Sequence, residues 1–164
     1  MKAVSYLRCS VVRGVYTLLI NLSESREITV GHLGTRCFPA GYYAYTGSAL
    51  GKGSSGLLGR ISRHLSTLKN VRWHIDYLLK ARGVKIELIV VSESLKRMEC
   101  MVVENLKEGS GATIVVEGLG ASDCRAGCVS HLLYFPNASF EDVRCAVVNA
   151  FERVGLKTLN VQGR

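Results

Sequence analysis

The chain has 164 residues, 48% of them hydrophobic and 21% charged, with a formal net charge of +8. That composition excludes a disordered segment and suits one domain with a full core. No apolar run approaches the roughly 18 residues of a membrane helix, and Arg8 and Arg13 interrupt any signal-peptide core, so a cytoplasmic protein without a membrane partner is expected.

With two prolines in the chain, glycine supplies the punctuation. The stretch GVYTLLINL (14–22) reads as a strand, joined through polar residues 23–27 to a second strand, ITVGHLG (28–34). A third strand covers 41–47, and the glycine-rich SALGKGSSG (48–56) is a loop. Helices are predicted over 57–68 and 72–81, then a buried strand over 84–92. Ser92 and Ser94 offer N-caps for a helix to residue 107. Strands follow at 112–119 and 131–135, and a last helix covers 140–154. The order reads as α+β: a small antiparallel or mixed sheet flanked by helices, in a single domain. Its body is 1–136, with 137–164 a C-terminal helical extension packed on the same domain.

Charge is concentrated. Lys52, Arg60, Arg63, Lys69, Arg72, Lys80, Arg82 and Lys85 share their segment with one acid, Asp76. Such a segment is an electrostatic footprint for nucleic acid, DNA first, or a solvated face. Lys52, Arg63, Lys69 and Arg72 are the candidate nucleic-acid contacts. The glycine-rich loop is not read as a nucleotide cradle. GKGSSG fits the bare dinucleotide pattern, but it lacks the parallel βαβ context and the later acid.

The helix at 57–68 carries Leu57, Leu58, Ile61 and Leu65 as its apolar stripe. Arg60 and His64, at i and i+4, border that stripe on one face, which suits an arginine clamp on phosphate. In the helix at 94–107, Leu95, Met98, Val102 and Leu106 form the stripe, and Glu99 falls in its middle. A carboxylate there must be paired, protonated or metal-bound; an ion pair to Arg60 or a similar residue is the bland reading. Tyr16, Tyr43 and Tyr45 lie on strands, where aromatics commonly serve packing. His74 and Asp76 stand nearly opposite each other on their helix and are read as structural.

Cysteines stand at 9, 37, 100, 124, 128 and 145, without paired CxxC motifs. They are either buried small hydrophobes or partners in internal disulfides. Asp123, Cys124, Cys128 and His131 look like a zinc half-site; Cys-x3-Cys-x2-His gives three ligands and needs a fourth from Cys9, Cys37, His64 or His74. A disulfide or simple loop packing is the alternative, and His131 can also reach a cleft.

GVY at 14–16, YTG at 45–47, Arg60 with His64 as RxxxH, and a helical Glu99, in that order, resemble the GIY-YIG nuclease superfamily. The likeness is to its compact archaeal Uri-type branch and covers roughly residues 12–136. The resemblance implies a metal-dependent endonuclease cleaving DNA phosphodiester bonds, with a repair or processing role. It implies magnesium or manganese held by Glu99, with zinc not the expected cofactor. Tyr16 would act as general base or position the water, and Tyr45 would orient water or phosphate. Arg60 would stabilise phosphate charge, and His64 would contact phosphate or support Tyr16. The alternatives are a non-catalytic nucleic-acid-binding module on the same fold, or a zinc- or disulfide-stabilised interaction protein.

Overall fold

The computed structural model describes residues 13–68 and 70–163. Its central strand, β1 (Gly14–Leu22), is buried at every position except Asn21. Burial on both faces is what a near-continuous apolar strand requires. β1 pairs antiparallel with β4 (Gly41–Ala49) on one side and β5 (Val84–Glu93) on the other. β6 (Leu132–Phe135) extends the sheet beyond β4, and β7 (Leu159–Gln162) extends it beyond β5, giving the order β6-β4-β1-β5-β7. A separate hairpin pairs β2 (Arg26–Thr29) with β3 (Thr35–Phe38).

Alternation along β1 divides the core. Tyr16, Leu18, Ile20 and Leu22 face Leu57 and Ile61 of α1 (Leu57–Leu65) and Ile75 and Leu78 of α2 (His74–Leu79). Val15 and Leu19 face the opposite layer. There they meet Val102 and Leu106 of α3 (Glu99–Ser110) and Val143, Val147 and Phe151 of α4 (Phe140–Arg153). Each fully buried aliphatic side chain contributes about 1.5–3 kcal/mol, so the two helical layers stabilise both sides of one sheet. Thr17 and Thr46 are buried across the β1–β4 pair and satisfy each other with a 2.9 Å hydrogen bond between hydroxyls. The molecule is thus a single α+β domain with an antiparallel sheet flanked by helices, as the element order indicates. Among the described residues, no helix is long and apolar enough to cross a membrane.

Several elements depart from expectation. Residues 112–119 form no strand; one isolated bridge, Thr113 to Tyr134, precedes turns with Gly118 and Gly120 at φ of 78° and 73°. α3 begins at Glu99, not near residue 94, because the Ser94 hydroxyl engages Lys96 in a local turn. Leu95 is consequently 82% exposed and belongs to no apolar stripe. β7 has no counterpart in the expected elements.

Candidate metal centre and adjoining cleft

The segment between α3 and β6 leaves the helix through Gly111, which is in the left-handed conformation. Its two arms are held together by backbone bonds: Gly118 N–H to Val129 C=O at 2.8 Å and His131 N–H to Leu119 C=O at 2.9 Å. Thr46 N–H donates to His131 C=O at 3.0 Å, fastening the returning arm to β4. The tip of this double arm carries Cys124 and Cys128 and sets them beside the first turn of α3.

There Cys100, Cys124, Cys128 and His131 converge, with one ligand atom from each lying within 4.8 Å of all the others. Cys100 Sγ is 3.4 Å from Cys124 Sγ and 3.7 Å from His131 Nε2. Ligands on a tetrahedral zinc with Zn–S near 2.3 Å are separated by about 3.8 Å, close to these two separations. The Gly120 carbonyl hydrogen-bonds the His131 ring, the support a metal-binding imidazole usually has. Burial holds His131 below the ordinary imidazole value and so keeps it in the neutral, ligating form. Burial also raises the Cys100 thiol, reinforced by hydrogen bonds with Cys128 and Cys124. For Cys124 burial acts upward too, but the Cys128 N–H, the Cys100 side chain and the Ala126 N–H outweigh it and lower the thiol.

The cluster corrects the cofactor expectation. Three soft sulfurs and one imidazole are zinc ligands, whereas magnesium and manganese favour hard oxygen. Zinc, the cofactor expected least, is therefore the one the donor set fits. The fourth ligand is Cys100, which the half-site reading did not name. Cys37 is exposed on β3, His64 bonds Tyr16, and His74 meets His32 Nδ1 at 3.4 Å; Cys9 lies outside the described residues. No spacing rule links Cys100 to the loop; only its place beside Glu99, at the start of a helix, hints at a role.

Beside the cluster lies a polar cleft of about 380 Å³. Arg60, Arg72 and Arg97 supply its cationic walls, and Glu99 and Asp123 its acids. Tyr45, Trp73, His74 and His131 also line it. The Arg60 guanidinium stacks 5.0 Å from the Trp73 ring centre, and its buried Nε has no hydrogen-bond partner among the described residues. Arg97 is the cleft arginine that the sequence reading did not single out. The Glu99 carboxylate is buried, as its setting predicts, and it accepts from the Ser48 hydroxyl. Its ion-pair partner, as the bland reading allows, is an arginine: Arg97, at 3.7 Å.

Tyr16 is fully buried, with its hydroxyl 2.8 Å from His64 Nε2. Burial, only partly offset by the Arg60 charge, pushes its pKa up to about 12. Tyr45 is raised as well, through burial first and then Tyr16. Tyr43 points elsewhere and donates to the Pro39 carbonyl at 2.5 Å. Of the candidate nucleic-acid contacts, Arg72 lines the cleft and Lys52 is exposed on the glycine-rich loop. Arg63 pairs with Asp76 at 2.6 Å, and Lys69 lies outside the described residues. Asp76 also accepts the Arg72 and Trp73 N–H groups at 2.9 and 3.0 Å, so it caps α2.

Residues 15–156 match a family model described as "Domain of unknown function DUF123". The chain belongs to this family. No curated protein and no solved structure matches it. The match places the chain in the DUF123 family instead of the GIY-YIG nuclease superfamily, and it overturns that resemblance. The endonuclease activity and the magnesium or manganese centre at Glu99 are corrected with it. The metal cluster of this DUF123 domain has the closed, four-ligand set of a structural site, while a catalytic zinc keeps one position open. Tyr16, raised to about 12, is also the opposite of a base poised for neutral pH.

Proposed function

We propose that this DUF123 domain is a non-catalytic, zinc-stabilised module that binds nucleic acid, DNA first, through its arginine-lined cleft. The observation that carries the reading is the double placement of His131. Its ring belongs to the metal cluster and also lines the cleft, so a bound zinc would fix one wall of the binding surface. Arg60, Arg72 and Arg97 of the cleft would meet phosphate, with the exposed Lys52 of the glycine-rich loop adding positive charge. Guanidinium groups suit that task because their planar fork matches a phosphate. Glu99 offers little repulsion, since Ser48 and Arg97 already engage its carboxylate. Tyr45 and Trp73 line the cleft, and the His64 ring packs against both.

Zinc-bound thiolates favour a reducing compartment, so the reading places the module in the cytoplasm. The test combines metal analysis of protein purified without chelator with fluorescence anisotropy on a labelled DNA duplex and single strand. A full zinc equivalent per chain, and binding that weakens in Arg60→Ala and with added salt, are the expected results. Absence of zinc removes the first half of the reading. Zinc-loaded protein that ignores DNA at low salt removes the second and leaves a zinc-stabilised protein-interaction domain.

A further inference from the structure

We propose that the Cys3His cluster is an oxidation-sensitive clasp on the cleft, in which a peroxide converts Cys100 and Cys124 to a disulfide and expels the zinc; this rests on the zinc reading above. Cys100 Sγ and Cys124 Sγ are 3.4 Å apart, so reaching the S–S length of about 2.05 Å requires a movement of about 1.4 Å. The pair joins two elements separated by 24 residues, the start of α3 and the tip of the double arm. All three cysteines of the cluster are partly accessible, so a small oxidant can reach them.

The chemistry balances with a peroxide as the oxidant. One thiolate sulfur attacks the O–O bond, forms a sulfenic acid and releases hydroxide. The other thiolate attacks that sulfur, forms the S–S bond and expels a second hydroxide. The two sulfurs lose two electrons, the peroxide gains them, and two solvent protons complete two waters. With two of its four ligands gone, the zinc leaves for solvent. Cys128 and the His131 side chain are then released from the metal, although the His131 backbone stays bonded to Leu119 and Thr46. The wall formed by Gly120, Ser122, Asp123 and His131 loses its metal anchor, and the cleft loses its pre-formed shape.

The experiment uses the full chain purified in reductant, with zinc measured first. A chain without zinc refutes the zinc reading before any oxidant is added. Zinc-loaded chain is then titrated with hydrogen peroxide, with zinc release followed by a chromophoric chelator and disulfides mapped by non-reducing mass spectrometry. Alkylation of the exposed Cys37 and Cys145 reports the oxidant dose reached. The expected result is loss of the full zinc equivalent together with a Cys100–Cys124 linked peptide. DNA affinity falls severalfold with it, and dithiothreitol plus zinc reverses all three changes. Zinc retained at a dose that oxidises Cys37 and Cys145 overturns the proposal, as does a linkage that omits Cys100 or unchanged DNA affinity in the oxidised chain.

Discussion

Glu99 and Cys100 are neighbours at the start of α3, yet their side chains enter two different sites. Glu99 lines the cleft and accepts from Ser48, while Cys100 faces the metal cluster across from Cys124. An α-helix turns about 100° per residue, so the first turn of α3 can serve both. The two positions should separate cleanly on mutation. Cys100→Ser is expected to lose most of the bound zinc. Its stability should fall by at least about 2 kcal/mol, roughly 4–8 °C in thermal midpoint for a domain of this size. Glu99→Gln should retain the zinc. Metal analysis beside thermal unfolding decides it, and zinc lost equally from both variants would place Glu99 in the metal shell.

Gly47 stands opposite Tyr16 in the β1–β4 register. A Cβ on residue 47 would lie 2.8 Å from the Tyr16 hydroxyl oxygen and 2.9 Å from the ring carbon that bears it. The tyrosine is fully buried and held by His64, so it has no free space to yield into. Gly47→Ala is expected to cost about 1–3 kcal/mol, the usual range for overpacking a core, read as a lower urea midpoint. Tyr16→Phe in the same background should recover part of that loss by removing the clashing oxygen. An alanine variant as stable as the parent would show that the ring shifts freely.

The elements were legible to different depths for physical reasons. β1 is visible in the chain because both of its faces are buried, at eight of its nine positions. Cys124, Cys128 and His131 are visible as a half-site because the loop brings them together within a short span of sequence. Cys100 is not, since only the packing of α3 against that loop brings it near. Glu99 reads correctly as buried, and Met98, Val102 and Leu106 pack on the core face as the spacing predicts, but the helix starts later than expected because Ser94 forms a turn instead of a cap. The β-branched run at 112–119 is strand-like in composition. Left-handed Gly118 and Gly120 turn the chain there so that it can deliver the cysteines. β7, at the sheet edge, is too short to show a pattern.

Asp76 gives the fold an acid-sensitive joint. Burial opposes its ionisation, but the N–H groups of Trp73 and Arg72 and the Arg63 guanidinium together hold the carboxyl below its ordinary value. A group with a depressed folded pKa contributes stability that is present above the unfolded value, near about 4. That contribution is lost as pH falls through the lower, folded value. Urea midpoints should therefore decline below about pH 4 in the parent chain, and this component of the decline should vanish in Asp76→Asn. The same variant should be less stable at neutral pH by about 1–3 kcal/mol, since two backbone N–H groups lose a charged acceptor. Identical acid slopes in the two proteins would assign the acid sensitivity to other carboxylates.

The cleft arginines differ in burial, and that difference predicts how each affects binding. Arg60 is half-buried, stacked on Trp73 and fixed on α1, whereas Arg72 lines the same cleft but is exposed. On the DNA-binding reading, each arginine that neutralises a phosphate contributes about 0.9 to the slope of log K against log salt on duplex DNA. Arg72→Ala should reduce that slope by about one such unit and weaken binding uniformly across sequences. Arg60→Ala should do this and also loosen Trp73, which then has Arg63 as its remaining guanidinium neighbour at 4.6 Å. Its near-ultraviolet circular dichroism and tryptophan emission should therefore change before any DNA is added, while those of Arg72→Ala stay as in the parent. Salt titrations by anisotropy, paired with the two spectra, separate an electrostatic contact from a residue that also builds the wall. A slope unmoved by either substitution would take the cleft out of the binding surface.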